Sequence, residues 1–450
     1  MKKTLSMSLG ALLLTLCILL TGCTGFGGGT APSDTTDPKG TSAGTQSGKG
    51  GDTNVFFNAA GLSASEFYEA AKQYGYTGTF MEFVAECLKL DGETNDANLA
   101  SALLSSVSVY CTFNRTAYKY TIFGQKQAYD EEYSSAGSGV IYRLSSDRRS
   151  AYILTNYHVV YDVDSKTENG ISDKIQLFLY GNELMSGSIS ATYVGGSMTY
   201  DIAVLKVEDS DILQNSDACA AVFADSNRIS VGQTAIAVGN PEASGISATR
   251  GVVSVDSDRI TMQTVDEKDT VTMRVIRVDT AINSGNSGGG LFNDRGEVIG
   301  IVNAKVKASG TENIAYAIPS NIASYVADGI LEGAQDGSSG VSKCMLGVTV
   351  EVSSSSARLD KETGKTQIVE EIKVNKVEEG SLAAEYLQVG DILESVTIGG
   401  KEQALTRSFI LVDLMLTCRV GTEMKLTVVR DGVLMTFSFT LTEQSLTIIS

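Results

Sequence analysis

At 450 residues the chain exceeds one ordinary domain, and at about 150 residues per domain two or three are expected. Gly is abundant (46), Pro scarce (4) and Trp absent, and many short runs of Val, Ile, Thr and Tyr lean toward a mostly β architecture rather than a helical bundle. A formal net charge of -18, with no cluster of five or more Lys and Arg, argues against nucleic acid as a partner.

Met1-Lys2-Lys3 precedes an apolar run through Ala11, Leu12, Leu13, Leu14, Leu16, Ile18, Leu19 and Leu20. A basic start and a short apolar stretch predict a secretory signal over residues 1–22, too short for a comfortable membrane span. It ends in Leu20-Thr21-Gly22-Cys23, which resembles the lipobox of bacterial lipoproteins. That resemblance implies a lipid on Cys23 and anchoring at the extracytoplasmic face of the cell membrane. Residues 23–53, rich in Gly, Ser, Thr and Asp, have almost nothing to bury and predict a flexible tether. A chain of that composition spans on the order of 30 Å. Within 54–97, Leu62 to Leu90 carry apolar residues at helical spacing, interrupted at Tyr74-Gly75-Tyr76-Thr77-Gly78, so a small helical hairpin is expected.

Beyond the polar stretch after Leu90 the pattern changes to short strands. Val107–Phe113, Ser138–Leu144, Ala151–Asn156, Lys174–Tyr180, Ser188–Val194 and Ile202–Val207 form one set. Thr234–Val238, Ile246–Val255, Val271–Val278, Gly290–Phe292, Val298–Lys305 and Ile314–Ile318 form a second. Six and six is the count that two small barrels need, which marks 98–333 as one domain. Pro319 opens a helix over Ser320–Leu331. Residues 334–342 read as a linker, 343–443 as a last domain of strands with a helix at Ser408–Leu416, and 444–450 as a tail. With Cys17 in the signal and Cys23 lipidated, five cysteines remain: Cys87, Cys111, Cys219, Cys344 and Cys418. Their odd number and lack of short paired spacing argue against a disulfide framework and against a metal site, and most are expected to be small buried apolar side chains.

The chain has a single histidine, His158, in Leu154-Thr-Asn-Tyr-His-Val-Val160, so a histidine general base has one candidate. Gly285-Asn-Ser-Gly-Gly289 places Ser287 in a Gly-dense turn, where missing Cβ atoms let a substrate backbone approach and successive N–H groups converge. The amides of the segment Gly285, Asn286 and Ser287 are candidate oxyanion donors, those of Gly285 and Ser287 foremost. Asp201 stands at the mouth of the alternating strand Ile202-Ala-Val-Leu-Lys-Val207. His, then Asp, then Ser is the chain order of a chymotrypsin-type triad.

These segments, with Gly137-Ser-Gly-Val-Ile141, Gly239-Asn-Pro241, Gly251-Val-Val-Ser254, Gly296-Glu-Val-Ile-Gly-Ile301 and Tyr316-Ala-Ile-Pro319, resemble the HtrA/Deg family of trypsin-like proteases from about Leu99 to Glu443. The resemblance implies a chymotrypsin-like double β-barrel, Ser287 as nucleophile, His158 as base and Asp201 as the group orienting the imidazole. Tyr157, where a polar residue is expected, and Gly290, where a larger one is common, depart from the pattern. The S1 pocket is assigned to Ala281 and Asn303; an uncharged Ala281 six residues before Ser287 argues against basic P1 side chains.

The last domain resembles a PDZ domain, with Met345-Leu346-Gly347-Val348 as its carboxylate loop, Gly380-Ser-Leu-Ala-Ala384 and Gly390-Asp-Ile-Leu393 in its middle, and Ser408–Leu416 as its groove helix. A polar hairpin, Ser353–Lys365, is inserted. Together the resemblances imply an ATP-independent, cofactor-free serine endopeptidase that degrades unfolded or mislocalised proteins, with C-terminal peptides held at the PDZ groove. They also imply a homotrimer, which no residue pattern here sets. A peptide-binding or chaperone lipoprotein on the same fold is the alternative.

Overall fold

The computed structural model describes residues 94–120, 124–182, 187–304, 314–336, 340–359 and 366–449, with Ile122 and a few positions between 68 and 83. The expected signal sequence, tether, Cys23 and Cys87 lie outside the described residues, as does most of the expected helical hairpin. Of the latter, positions 68, 69, 72, 73 and 83 are helical. Two units divide the chain, residues 1–98 and 99–450.

Alternation of apolar and polar side chains shapes the first barrel. Val107, Val109, Cys111 and Phe113 of strand β1 (Ser106–Tyr120) all point into one apolar interior with Ile141, Ile153, Leu177 and Leu205. Those partners come from β2 (Lys126–Leu144), β3 (Ala151–Thr155), β4 (Lys174–Leu179) and, after β5 (Ile189–Ser197), β6 (Ile202–Val207). The ring closes in the order β1-β2-β3-β6-β5-β4, leaving no open edge. β1 and β2 run well past the expected Val107–Phe113 and Ser138–Leu144, pairing out to Tyr120↔Lys126. This outer ribbon is solvated on both faces, with Tyr118 and Tyr120 exposed, so the apolar alternation that reveals a strand is absent there.

A second ring follows a short strand β7 (Val222–Phe223). It comprises β8 (Thr234–Gly239), β9 (Ser247–Gln263), β10 (Thr270–Val278), β11 (Gly290–Phe292), β12 (Glu297–Asn303) and β13 (Ala315–Pro319). Pairings β8–β9–β10–β13–β12–β11 return to β8, with β7 lying parallel on β12. Val253, Ile276, Val278, Leu291, Ile299, Val302 and Ala317 fill its interior. The helix Ser320–Asp336 then lays Ile322, Ala323, Val326, Ala327 and Ile330, spaced on one helical face, against the outer side of the first ring. Gly195 of β5 permits the approach, since a Cβ there would stand 2.7 Å from Ile330 Cγ2.

The C-terminal part contains β14 (Val341–Cys344), β15 (Val348–Leu359), β16 (Thr366–Val377), β17 (Ile392–Ile398), β18 (Lys401–Ala404), the helix Ser408–Leu414, β19 (Glu423–Arg430), β20 (Val433–Thr440) and β21 (Leu446–Ile449). Its main sheet runs β15-β16-β17-β19-β20. The inserted hairpin is the outer half of β15–β16. Two expectations are corrected here. Ala334–Asp336, read as linker, ends the helix, and the read linker's Val341 and Ser342 join Lys343 and Cys344 in pairing antiparallel with Leu446–Ile449, read as tail. Each segment is only four residues long, too short to show a period, and their pairing partner lies a hundred residues away.

Candidate active site

His158 sits in the single helical turn Tyr157–Val160, directly after β3. Tyr157 faces inward, its ring 6.2 Å from Tyr193, and Gly196 leaves room for it, since a Cβ there would meet Tyr157 Cδ2 at 2.6 Å. The departure at Tyr157 is therefore a packing substitution. Asn156 precedes the turn and donates from Nδ2 to the Asp201 carbonyl at 2.8 Å. One tie thus joins the two loops.

Asp201 is 1% exposed and holds a left-handed φ of 50°, a conformation Asp tolerates better than most residues. Such backbone strain costs of order 1 kcal/mol and persists only where the surroundings enforce it. Here three donors do. Its Oδ1 accepts the His158 backbone N–H at 2.9 Å, while Oδ2 faces His158 Nδ1 at 2.7 Å and accepts Asn303 Nδ2 at 2.9 Å. A carboxylate accepts only, so the His158 proton belongs on Nδ1 and leaves Nε2 with a lone pair.

Ser287, 5% exposed, lies in a loop that only glycine can build. Gly285 has φ 96°, and a Cβ there would stand 2.2 Å from the Asn240 carbonyl oxygen. Gly288 has φ 83°, and a Cβ there would strike the Ser138 carbonyl and Thr155 Oγ1 at 2.3 Å. That contact seats Ser287 against the strand end carrying Asn156 and His158. Ser287 Oγ accepts the Ala304 N–H at 3.2 Å. Asn303 and Ala304, adjacent in sequence, therefore reach Asp201 and Ser287 in turn.

Ser138, from the Gly-Ser-Gly segment, pins this loop from the first barrel. Its Oγ donates to the Gly285 carbonyl at 2.7 Å and accepts Asn240 N–H at 2.8 Å, and its own N–H donates to the Ser287 carbonyl at 2.8 Å. Of the three expected oxyanion amides, Asn286 N–H already donates to the Asn283 carbonyl at 3.1 Å. Those of Gly285 and Ser287 make no backbone hydrogen bond among the described residues.

Of the residues assigned to the S1 pocket, Ala281 is exposed and accepts Thr249 Oγ1 at 2.8 Å through its carbonyl. Asn303, 1% exposed, instead directs its amide to Asp201. Sequence reasoning gave Ser138 no role and did not foresee the bond from Asn303 to Asp201. The only local signal for Ser138 was its pair of flanking glycines. Gly137 and Gly139 lie at 2.7 Å from Val159 and Ile153 atoms once a Cβ is added, which marks close packing around the serine. Among the described residues no cluster of His, Cys, Asp or Glu is arranged to hold a metal ion.

A second feature lies in the C-terminal part. Met345, Leu346, Gly347 and Val348 border a groove of about 230 Å³, lined also by Val350, Leu411, Val412 and Met415. Gly347 has φ 74° and would clash with Ser381 Cβ at 2.2 Å if it bore a side chain. Carbonyls of Leu346 and Gly347 accept the N–H groups of Ala383 and Glu378, each at 2.9 Å. Across each trans peptide the next N–H points the opposite way, so the amides of Gly347 and Val348 face away from that loop.

Residues 137–301 match the family model described as trypsin-like peptidase domain. The chain is 30% identical over 402 residues to the serine protease Do-like HtrA of Lactococcus lactis subsp. cremoris (strain MG1363), covering 84% of this chain and 91% of that protein. It is 32% identical over 323 residues to the serine protease Do-like HtrB of Bacillus subtilis (strain 168), covering 68% of this chain and 62% of that one. It is 33% identical over 307 residues to a probable periplasmic serine endoprotease, DegP-like, of Pseudomonas putida (strain W619), covering 67% and 54%.

Proposed function

The chain belongs to the Do-like HtrA family of serine proteases and is a serine endopeptidase, and from that premise we propose that His158, Asp201 and Ser287 carry the reaction. The observation that carries this reading is the pairing of Asp201 with His158 Nδ1 at 2.7 Å, beside a segment whose next residue touches Ser287 Oγ. Ser287 Oγ attacks the scissile carbonyl while His158 Nε2 takes its proton. N–H groups of Gly285 and Ser287 receive the oxyanion. His158 then returns the proton to the leaving amine, and a water molecule, deprotonated by the same imidazole, hydrolyses the acyl-enzyme.

The substrates are unfolded or mislocalised proteins at the extracytoplasmic face of a membrane. Similarity to a protein named as periplasmic supports that location, and the lipobox-like Leu20–Cys23 supports a lipid anchor on Cys23. The C-terminal part acts as a PDZ domain: an extended peptide adds to β15, its carboxylate meets the amides of Gly347 and Val348, and an apolar side chain enters the groove. This reading rests on the outward-facing amides and the apolar groove lining.

A fluorophosphonate probe tests the central role. Full-length protein should gain one adduct, mapped to Ser287, and Ser287→Ala should gain none while keeping its unfolding midpoint. An adduct elsewhere, or casein turnover by Ser287→Ala within about tenfold of the parent, would remove Ser287 from the chemistry.

A further inference from the structure

Among the described residues Cys111, Cys219, Cys344 and Cys418 are free thiols, and two of them lie on neighbouring elements. Cys344 ends β14, and Cys418 follows the Met415–Thr417 turn that leaves the groove helix; β14 packs against that turn. Both are buried, at 2% and 0% exposure, in one apolar cluster. Cys418 Sγ donates to the Leu414 carbonyl at 3.7 Å, and the two thiols are near enough for each to shift the other's ionisation. Cys344 also lines the groove beside Met345 and Met415, so one member of the pair borders an open cleft. Cys111, by contrast, is enclosed in the first barrel, where burial pushes its thiol up to about 12.

We propose that Cys344 and Cys418 form a redox-active dithiol that low-molecular-weight disulfides oxidise to a Cys344–Cys418 disulfide. The two thiols are unequal. Cys344 borders the groove, whereas Cys418 is fully enclosed with its S–H directed at the Leu414 carbonyl; the neighbouring Cys418 lowers the Cys344 pKa, while Cys344 and burial raise that of Cys418. Cys344 therefore attacks first. Its thiolate takes one sulfur of a disulfide RSSR, forming Cys344–S–S–R and releasing RS⁻, which collects the proton that Cys344 lost. Cys418 then gives up its proton and attacks Cys344 Sγ; the bond to SR breaks, and the second RS⁻ takes that proton. In balance, RSSR is reduced to two RSH and the two cysteines are oxidised to one disulfide.

Bond formation draws the sulfurs to about 2.05 Å, pulling the end of β14 toward the turn after the groove helix. Both elements border the groove, so oxidation narrows it and weakens the binding of apolar peptides. That consequence rests on the peptide-capture reading above; the disulfide does not.

The test equilibrates full-length protein with oxidised and reduced glutathione, quenches in acid, alkylates free thiols and weighs the digested peptides. The expected product joins the Cys344 and Cys418 peptides, two hydrogens lighter, with Cys111 and Cys219 alkylated. Cys418→Ser should stop at a glutathione adduct on Cys344, and Cys344→Ser should load Cys418 at least about tenfold more slowly. No linked peptide at large excess of oxidised glutathione, a stable adduct as the parent's endpoint, or pairing with another cysteine would overturn the dithiol. A fluorescent peptide with an apolar C-terminus should bind the oxidised form at least about threefold more weakly. Equal affinity would overturn the narrowing. Failure to bind even the reduced form would overturn peptide capture, while the mass measurement alone still decides the dithiol.

Discussion

Asp201 and Asp413 are both buried carboxylates, at 1% and 4% exposure, set against partners that carry a proton or a charge. Asp201 takes three N–H donors at 2.7 to 2.9 Å, from the helical turn of His158 and the end of β12. Asp413, on the groove helix, has Arg274 Nη2 of β10 at 2.9 Å, yet neither its Oδ2 nor any Arg274 side-chain nitrogen has an aligned hydrogen bond among the described residues. The guanidinium lies over the Phe409 ring at 3.8 Å instead. Burial pushes the Asp413 carboxyl up to about 6, against the pull of Arg274, Lys343 and Arg259. Burial likewise lowers Arg274 despite Asp413. A buried charge is thus cheap or costly according to donor alignment, not depth alone. At Asp201 the loops are built around the carboxylate. At Asp413 the packing of a helix whose other face lines the groove sets the position, and the charges follow.

The largest expected effect breaks the first member of that comparison. Asp201→Asn keeps the shape but turns one acceptor oxygen into a donor, so the imidazole loses its preference for Nδ1–H. A fall in kcat on the order of 10⁴ is expected from steady-state cleavage of a chromogenic peptide, by the general behaviour of such triads. A loss under about tenfold would mean that another group orients His158.

Next in size is the second member. Because the folded-state pKa of Asp413, about 6, lies above the ordinary carboxylate value of about 3.9, the native state binds more protons than the unfolded chain between those limits. This contribution to stability is complete below about pH 4 and is lost as pH rises through 6. Asp413→Asn, which stays neutral, should therefore match the parent near pH 4 and exceed it by about 1–3 kcal/mol at pH 7 in urea unfolding. Destabilisation of the variant at pH 7 would show instead that Arg274 depends on the carboxylate charge.

The smallest effect sharpens the role of alignment. Asn303→Ala removes one of three donors to Asp201 while leaving the His158 contacts in place. A kcat reduction of about tenfold with little change in KM is expected, since a hydrogen bond to a charged group contributes roughly 1.5–3 kcal/mol. A change confined to KM would return Asn303 to the substrate pocket.

What sequence could disclose follows the same division. His158, Asp201 and Ser287 each sit in a short, self-contained segment, so residue type, order and glycine content mark them as candidates, and alternation within Val107–Phe113 reveals a barrel strand, whereas Ile202–Val207 is a short apolar run buried on both faces. Ser138 and Asn303 act on partners 147 and 102 residues away; flanking glycines are the one local mark at Ser138, and Asn303 has none. The pairing of Val341–Cys344 with Leu446–Ile449, and the packing of Cys344 and Cys418 in one cluster, are likewise products of tertiary closure. The Arg274–Asp413 pair is hidden more deeply. An Arg in a strand and an Asp in a helix ordinarily face water, and only docking of that helix on the second barrel buries both.

The chain's single histidine makes one measurement decisive for the claim that Asp201 holds the imidazole ready for Ser287. Nitrogen NMR of protein labelled at histidine, at a pH where the imidazole is uncharged, should show one tautomer with its proton on Nδ1 and a bare Nε2. In Asp201→Asn that preference should disappear. A proton fixed on Nε2 in the parent, or a signal unchanged by the substitution, would contradict the account.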